Sequence, residues 1–270
     1  MAITTADGWF AAARQTLPLV KTASATSVAA QQFSTFALAG NPGAGTLAVG
    51  NTTAGVLFTD ATAGCPLIND FGAGNTGYLS RAAFRSSIAG GAQLYDRIWG
   101  AGAVSMTALA TTTFTGQPSI ASRIQSGTIY AGLEILIEIT TTVSATATTI
   151  AVGYTNQAGT TGRTTGATAT LSGFTTPRVI AMPLQAGDSG VQKVDSVTVG
   201  GTVATAGAFN VIIARRLADF DVRVVNSQDL QAWDALGAPQ IFQDSALWLV
   251  AQPDGTTTGV PALGLTILNG

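Results

Sequence analysis

The 270-residue chain carries 12 Lys and Arg against 14 Asp and Glu, a net charge of −2, and only 10% of its residues are charged although 46% are hydrophobic. It has no histidine, one cysteine (Cys65), two lysines (Lys21, Lys193) and two glutamates (Glu134, Glu138), so the commonest general base and metal ligand are missing, and no basic stripe offers itself to a phosphate backbone. The composition points away from catalysis, cofactor or metal binding and direct nucleic-acid contact, and toward a weakly charged subunit packed against others.

At the start of the chain, MAITTADGWFAAARQTLPLV is interrupted by Asp7, Arg14 and Gln15, unlike a signal peptide. No run of about 18 apolar residues follows, so a soluble, unprocessed chain with no membrane partner is expected. Within DGWFAAARQTL, residues Trp9, Phe10, Ala13 and Leu17 fall at helical spacing behind an Asp7 cap, predicting a short helix or arm. Residues 24–67 are rich in small side chains and poor in long strands, a pattern that orders against a neighbour. SRAAFRSSIAGGAQLYDRIW predicts a second layer with Leu94, Ile98 and Trp99 buried. Residues 1–130 are therefore expected to form an N-terminal arm and assembly region, with Trp9, Phe10, Phe33 and Phe36 as its interface aromatics.

Residues 131–270 predict a mainly β unit, an antiparallel jelly-roll-like β-sandwich. In GLEILIEITT (132–141), Leu133, Ile135, Ile137 and Ile139 share one face, and Glu134, Leu136, Glu138 and Thr140 the other. Further strands are predicted at 149–155, 167–171, 178–184, 194–199, 208–214, 220–225, 246–250 and 263–268, separated by Gly-rich turns. A helical break is predicted in SQDLQAWDAL, capped by Ser227.

Few groupings invite chemistry. Gly187-Asp188-Ser189-Gly190 matches four residues of the chymotrypsin-like nucleophile segment, but without histidine nothing accepts the serine proton, and a β-turn is expected. Ser189 and Lys193 would stand about 13 Å apart along a strand, too far for a dyad. Glu134 and Glu138 have the same spacing, which favours surface or interface charges over a glycosidase pair. Asp219 and Asp221, followed by Arg223, lack a calcium-loop pattern and are expected to pair on the surface with Arg215 or Arg216. NPGAGT and GAGNTG lack the Gly-Lys-Ser/Thr of a phosphate loop. Arg81, Arg85 and Arg97 form the densest basic group, expected as a solvated or subunit-facing surface. Cys65 is expected as a small buried thiol.

In GLEILIEITTTVSATATTIAVGYTNQAGTTGRTTGATATL, PLQAGDSGVQKVDSVTVGGT and AFNVIIARRLADF, covering roughly residues 130–225, the chain resembles virion structural proteins of tailed bacteriophages, capsid decoration proteins and tail components among them. The resemblance lies in strand and turn order and brings no active-site residues. It implies a β-sandwich subunit without enzymatic activity, made in the bacterial host cytoplasm and built into the virion. Its partners would be its own copies, as a trimer for a decoration or cement subunit, and the major capsid protein or other virion proteins. A tail-tube, collar or fibre-base subunit is the alternative, for which a sixfold ring is the expected symmetry.

Overall fold

Period-two alternation of aliphatic and β-branched residues drives the chain into strands, and the computed structural model, which describes residues 3, 5–168 and 170–270, is mainly β and antiparallel in its ladders. The elements in chain order are α1 (Ala6–Ala11), β1 (Ala13–Lys21), β2 (Gln32–Ser34), β3 (Gly40–Asn41), β4 (Asn51–Leu57), β5 (Gly77–Arg85), β6 (Gly90–Ser105) and β7 (Thr111–Thr113). Then come β8 (Leu133–Thr141), β9 (Thr148–Asn156), β10 (Arg163–Thr164), β11 (Arg178–Met182), β12 (Val191–Gly201), β13 (Ala208–Val222), β14 (Gln228–Ala232), α2 (Trp233–Leu236), β15 (Gln240–Ile241), β16 (Leu247–Pro253) and β17 (Ala262–Asn269).

The central body is a closed ring of strands in the order β13-β8-β11-β2-β16-β6, with β6 returning to pair with β13 and β4 added along β6. Closure removes the free edges that an open sheet would present. One flank is covered by a terminal sheet, β14-β5-β17-β1-β3 with β15 also on β5, and the other by a small sheet, β10-β9-β12-β7. Three apolar clusters match these layers. Leu133, Ile135, Ile137 and Ile139 of β8, with Trp99, Phe209 and Val211, pack against Ile150, Val152, Val194 and Val197 of the small sheet. Leu94, Phe220, Val222, Leu247 and Leu249 pack against Leu17, Leu19, Phe84, Leu263 and Leu265 of the terminal sheet. Tyr95, Leu136, Val179, Ile212, Trp248 and Val250 belong to the barrel's own interior, closed in by Phe36 and Phe58.

β6 and β13 serve both flanks because they are long and irregular. Register shifts in their ladder fall at Phe209/Val211, Ile213/Ala214 and Arg216/Ala218, and such bulges re-aim the side chains that follow. Up to Ile213 β13 feeds the small-sheet core, and from Leu217 the terminal-sheet core. The strands expected at 208–214 and 220–225 are therefore one continuous element.

Other expectations change in the same concrete way. The N-terminal helix stops at Ala11, capped by Thr5, whose Oγ1 accepts the Gly8 N–H at 3.0 Å, rather than by Asp7. Ala13 and Leu17 belong to β1, because the alternation from Ala13 onward finds a full-length partner in β17. The 167–171 stretch includes residue 169, which lies outside the described residues; around it Thr168 and Leu171 bond singly to β9 without a ladder. In SQDLQAWDAL the first part is β14, and only Trp233–Leu236 is helical, without a side-chain cap. The division near residue 130 does not follow the ladders: β1 and β5 pair with β17, and β6 with β13 and β16, so both halves of the chain build the terminal sheet and the barrel. The composition shift there marks loop-rich sequence, not a boundary.

Candidate functional site

Six charged residues, Lys21, Asp60, Asp96, Arg97, Arg123 and Glu138, are buried among the described residues. Arg97, expected on the surface, is fully buried. Its Nη1 and Nη2 donate to Glu138 Oε1 and Oε2 at 3.2 and 2.9 Å, and its guanidinium lies against Phe36, Phe58 and Trp248 at 4.5, 4.2 and 5.0 Å from the ring centres. Glu138, expected as an exposed or interface charge, also accepts from Asn210 Nδ2 at 2.9 Å. Asp96 accepts from Arg123 Nη2, from Ser245 Oγ at 2.9 Å and from the Ala246 N–H at 3.1 Å, with Arg215 at 3.6 Å. Glu134 pairs instead with Arg216 at 3.1 Å, at the half-exposed end of the same β8 face. The Arg97–Glu138 and Arg123–Asp96 pairs are buried away from solvent and tie the barrel strands together. Cys65 is buried, and burial pushes its thiol up to about 12. Arg216 pairs with Asp219 as expected, whereas Asp221 pairs with Arg223 rather than with Arg215 or Arg216.

At the Gly187–Gly190 turn the important residue is Asp188, not Ser189. Its carboxylate accepts from Arg163 Nε (2.9 Å) and Nη2 (3.0 Å), Tyr154 Oη (2.6 Å) and Asn156 Nδ2 (2.7 Å). Arg163 foremost, with Tyr154 and Asn156, holds the carboxyl down to about 2 against the opposing pull of burial. A folded-state value below the ordinary one gives stability that is present above about pH 4 and lost as pH falls through about 2. Asp188→Asn is thus expected to lower the denaturation midpoint at neutral pH, and its gap from wild type to close between about pH 4 and 2. Exposed Ser189→Ala should stay within about 0.5 kcal/mol of wild type. A gap independent of pH across that window would remove the role given to Asp188.

The feature open to solvent is the outer face of the terminal sheet. Its residues align across strands as Val20, Ala262, Arg85 and Gln228; Pro18, Gly264, Ala83 and Leu230; and Thr16, Thr266, Arg81 and Ala232. Arg14 lies opposite Leu268, which lies opposite Tyr78, in the next row. A shallow groove of about 400 Å³ crosses this face. At the Tyr78 end, Trp9 of α1 packs 6.3 Å from Tyr78 and 5.9 Å from Trp233 of α2. Pro18 is tolerated here because β1 is open along Ala13–Leu19: Lys21 N–H bonds toward β17 and Thr22 N–H toward β3, so the amide that Pro18 lacks would point off the sheet.

Of the four aromatics expected at an interface, only two are accessible: Phe10 is 72% exposed, Trp9 is half-buried, and Leu230 and Trp233 beside them are 53% and 55% exposed. Phe33 and Phe36 are 0% and 2% exposed. Phe33 lies on β2 and Phe36 caps the barrel core, so neither can meet a partner. Sequence patterning missed the outer sheet face because its residues are small and its strands come from opposite ends of the chain.

No family model and no curated protein matches the chain. Among solved structures, it is weakly similar to the infectious bursal disease virus VP2 subviral particle, at 11% identity and a TM-score of 0.20 over 96% of this chain and 80% of that one. The infectious bursal disease virus Gt strain structure gives 12% identity and a TM-score of 0.19, covering 95% and 81%. Similarity at this level carries no argument about function.

Proposed function

We propose that the chain is a non-enzymatic structural subunit of a virus particle, a capsid decoration or cement subunit of the tailed-bacteriophage kind. It associates with its own copies as a trimer and packs on the major capsid protein, using no cofactor, metal, nucleic acid or membrane. The supporting observation is the distribution of charge: six charged side chains are spent inside the fold, while the outer rows of a sheet face four strands wide are left to solvent with mostly small and apolar residues, two arginines and no acid. Soluble monomers normally cover such faces with charges of both signs. The jelly-roll arrangement of the particle-forming unit is part of the same proposal.

Light scattering and sedimentation of the purified protein test it. A trimer is expected, and negative-stain images should place it on capsids. A sixfold ring would favour a tail-tube, collar or fibre-base subunit, and a monomer at the highest attainable concentration would overturn the proposal. Removing residues 1–11, which takes away α1 with Trp9 and Phe10, is expected to weaken association while the sheets persist. Burial of Phe10 against a partner is worth about 2 kcal/mol. A deletion to residue 40 would be uninformative, since it also removes β1 and β2.

A further inference from the structure

The charges of the barrel interior and of the Asp188 turn are paired internally, whereas two surface features carry charges that are not. The first is cationic. Arg81 and Arg85 are exposed on the outer rows of the terminal sheet and enter no ion pair among the described residues, and Arg14 donates only to the Phe10 carbonyl at 3.3 Å. The rows themselves carry no acid, and the helices bearing Asp7 and Asp234 sit at the Tyr78 end, away from Arg85.

The second is acidic and preorganised. The loop after Cys65 exposes Leu67 (65%) and Asp70, while Ile68 and Phe71 on either side are buried. It is fixed by backbone bonds: Ile68 N–H to Asp60 Oδ2 (2.8 Å), Asn69 N–H to Gln15 Oε1 (2.9 Å) and Phe71 N–H to Gln243 Oε1 (2.8 Å). Gln243 also donates to the Asn69 carbonyl at 3.3 Å and precedes exposed Asp244. Asp70 and Asp244 enter no ion pair among the described residues.

We propose that these two features are the halves of one heterologous contact, in which the loop bearing Leu67, Asp70 and Asp244 on one copy of the chain docks on the arginine-bearing sheet face of the next. The inference rests on the self-assembly proposed above and specifies its surfaces. Charge decides the occupant. Two copies meeting sheet face to sheet face would oppose Arg14, Arg81 and Arg85 with the same three cations, whereas the acidic loop supplies opposite charge and Leu67 an apolar side chain for the groove beside Pro18, Ala83 and Gly264. Area sets the extent: four strands by three rows span only about 300 Å². A stable interface takes about 800 Å² per partner, so the contact must extend beyond the rows over Trp233 and Phe10. The Asn69–Gln15 bond sets the loop beside the free edge of β1. Groove and loop therefore lie on adjoining sides of one protomer, as a contact repeated around a ring requires.

A charge swap in the full-length protein tests the proposal by sedimentation velocity, with circular dichroism to verify the fold. Arg81→Glu/Arg85→Glu and Asp70→Lys/Asp244→Lys should each weaken self-association at least about tenfold at low salt. All four substitutions combined in one chain should assemble again, because every acidic face then meets a basic loop whatever the number of subunits. Wild-type association in the arginine variant would overturn the sheet face as a contact while leaving self-assembly intact. Failure of the fourfold variant to assemble while it stays folded would overturn the acidic loop as occupant. Co-purifying nucleic acid that the arginine variant loses would show phosphate to be the occupant and overturn the proposal. A wild-type protein that is monomeric would defeat the structural-subunit proposal itself.

Discussion

Glu138→Leu is expected to lower the stability of the fold by about 3–5 kcal/mol, because it leaves the Arg97 guanidinium buried without its carboxylate. The geometry makes this severe. Arg97 is enclosed by three aromatic rings, and no water-facing route is open to a side chain that is fully buried. Asn210 would also lose the Oε2 acceptor that it shares with Arg97. The companion double variant, Arg97→Met/Glu138→Leu, removes both charges and should recover most of the loss, since apolar replacement of a complete buried pair is often neutral or better. Urea denaturation of the three proteins gives the result. A single variant that loses less than about 1 kcal/mol would mean that the pair is not what holds the barrel interior.

Trp99→Ala should cost about 3–5 kcal/mol, the usual range for removing a large buried aromatic. Trp99 meets Phe114 edge-on at 5.7 Å and donates its Nε1–H to the Ala54 carbonyl at 3.0 Å. That bond ties the indole to β4, a strand attached to the rest of the molecule chiefly through β6. A methyl group on Gly55 would lie 2.4 Å from the indole, at a backbone φ of +67°, so Gly55→Ala should be damaging at the same place. Hydrogen exchange provides the local readout: the Phe58 amide, bonded to the Ile98 carbonyl at 3.0 Å, should lose protection first in Trp99→Ala. Unchanged exchange there, with a midpoint near wild type, would refute the anchoring role.

The strands were legible where alternation is local. β8, β9, β11, β12, β16 and β17 all lie where period-two patterning puts them. What patterning conceals is the number of faces that become interior. Along β8 the odd residues read as core, and they are; the even face reads as mixed, yet ring closure turns it inward and makes Glu138 a buried ion. Arg97 was misplaced for the same reason: sequence groups it with Arg81 and Arg85 as a basic surface, while its neighbours in space are Phe36, Phe58 and Trp248. The bulges in β13 hid a continuous strand by breaking its alternation, and Phe33 and Phe36 looked like arm residues because the segment around them is made of small side chains. No local pattern brings residue 18 beside residue 264, so the candidate surface emerges only from long-range pairing.

That pairing orders events in time. β17 lies between β5 and β1, hydrogen-bonded along its length to both. While the chain is still emerging from the ribosome, β5 has β14 to pair with, but β1 and β5 have nothing between them, and the arginine-bearing rows stay incomplete until β17 has cleared the exit tunnel. Earlier translation products, including prematurely terminated ones, lack the β1–β17 half of the surface. A nascent polypeptide of this topology therefore presents the complete face only once it has finished folding.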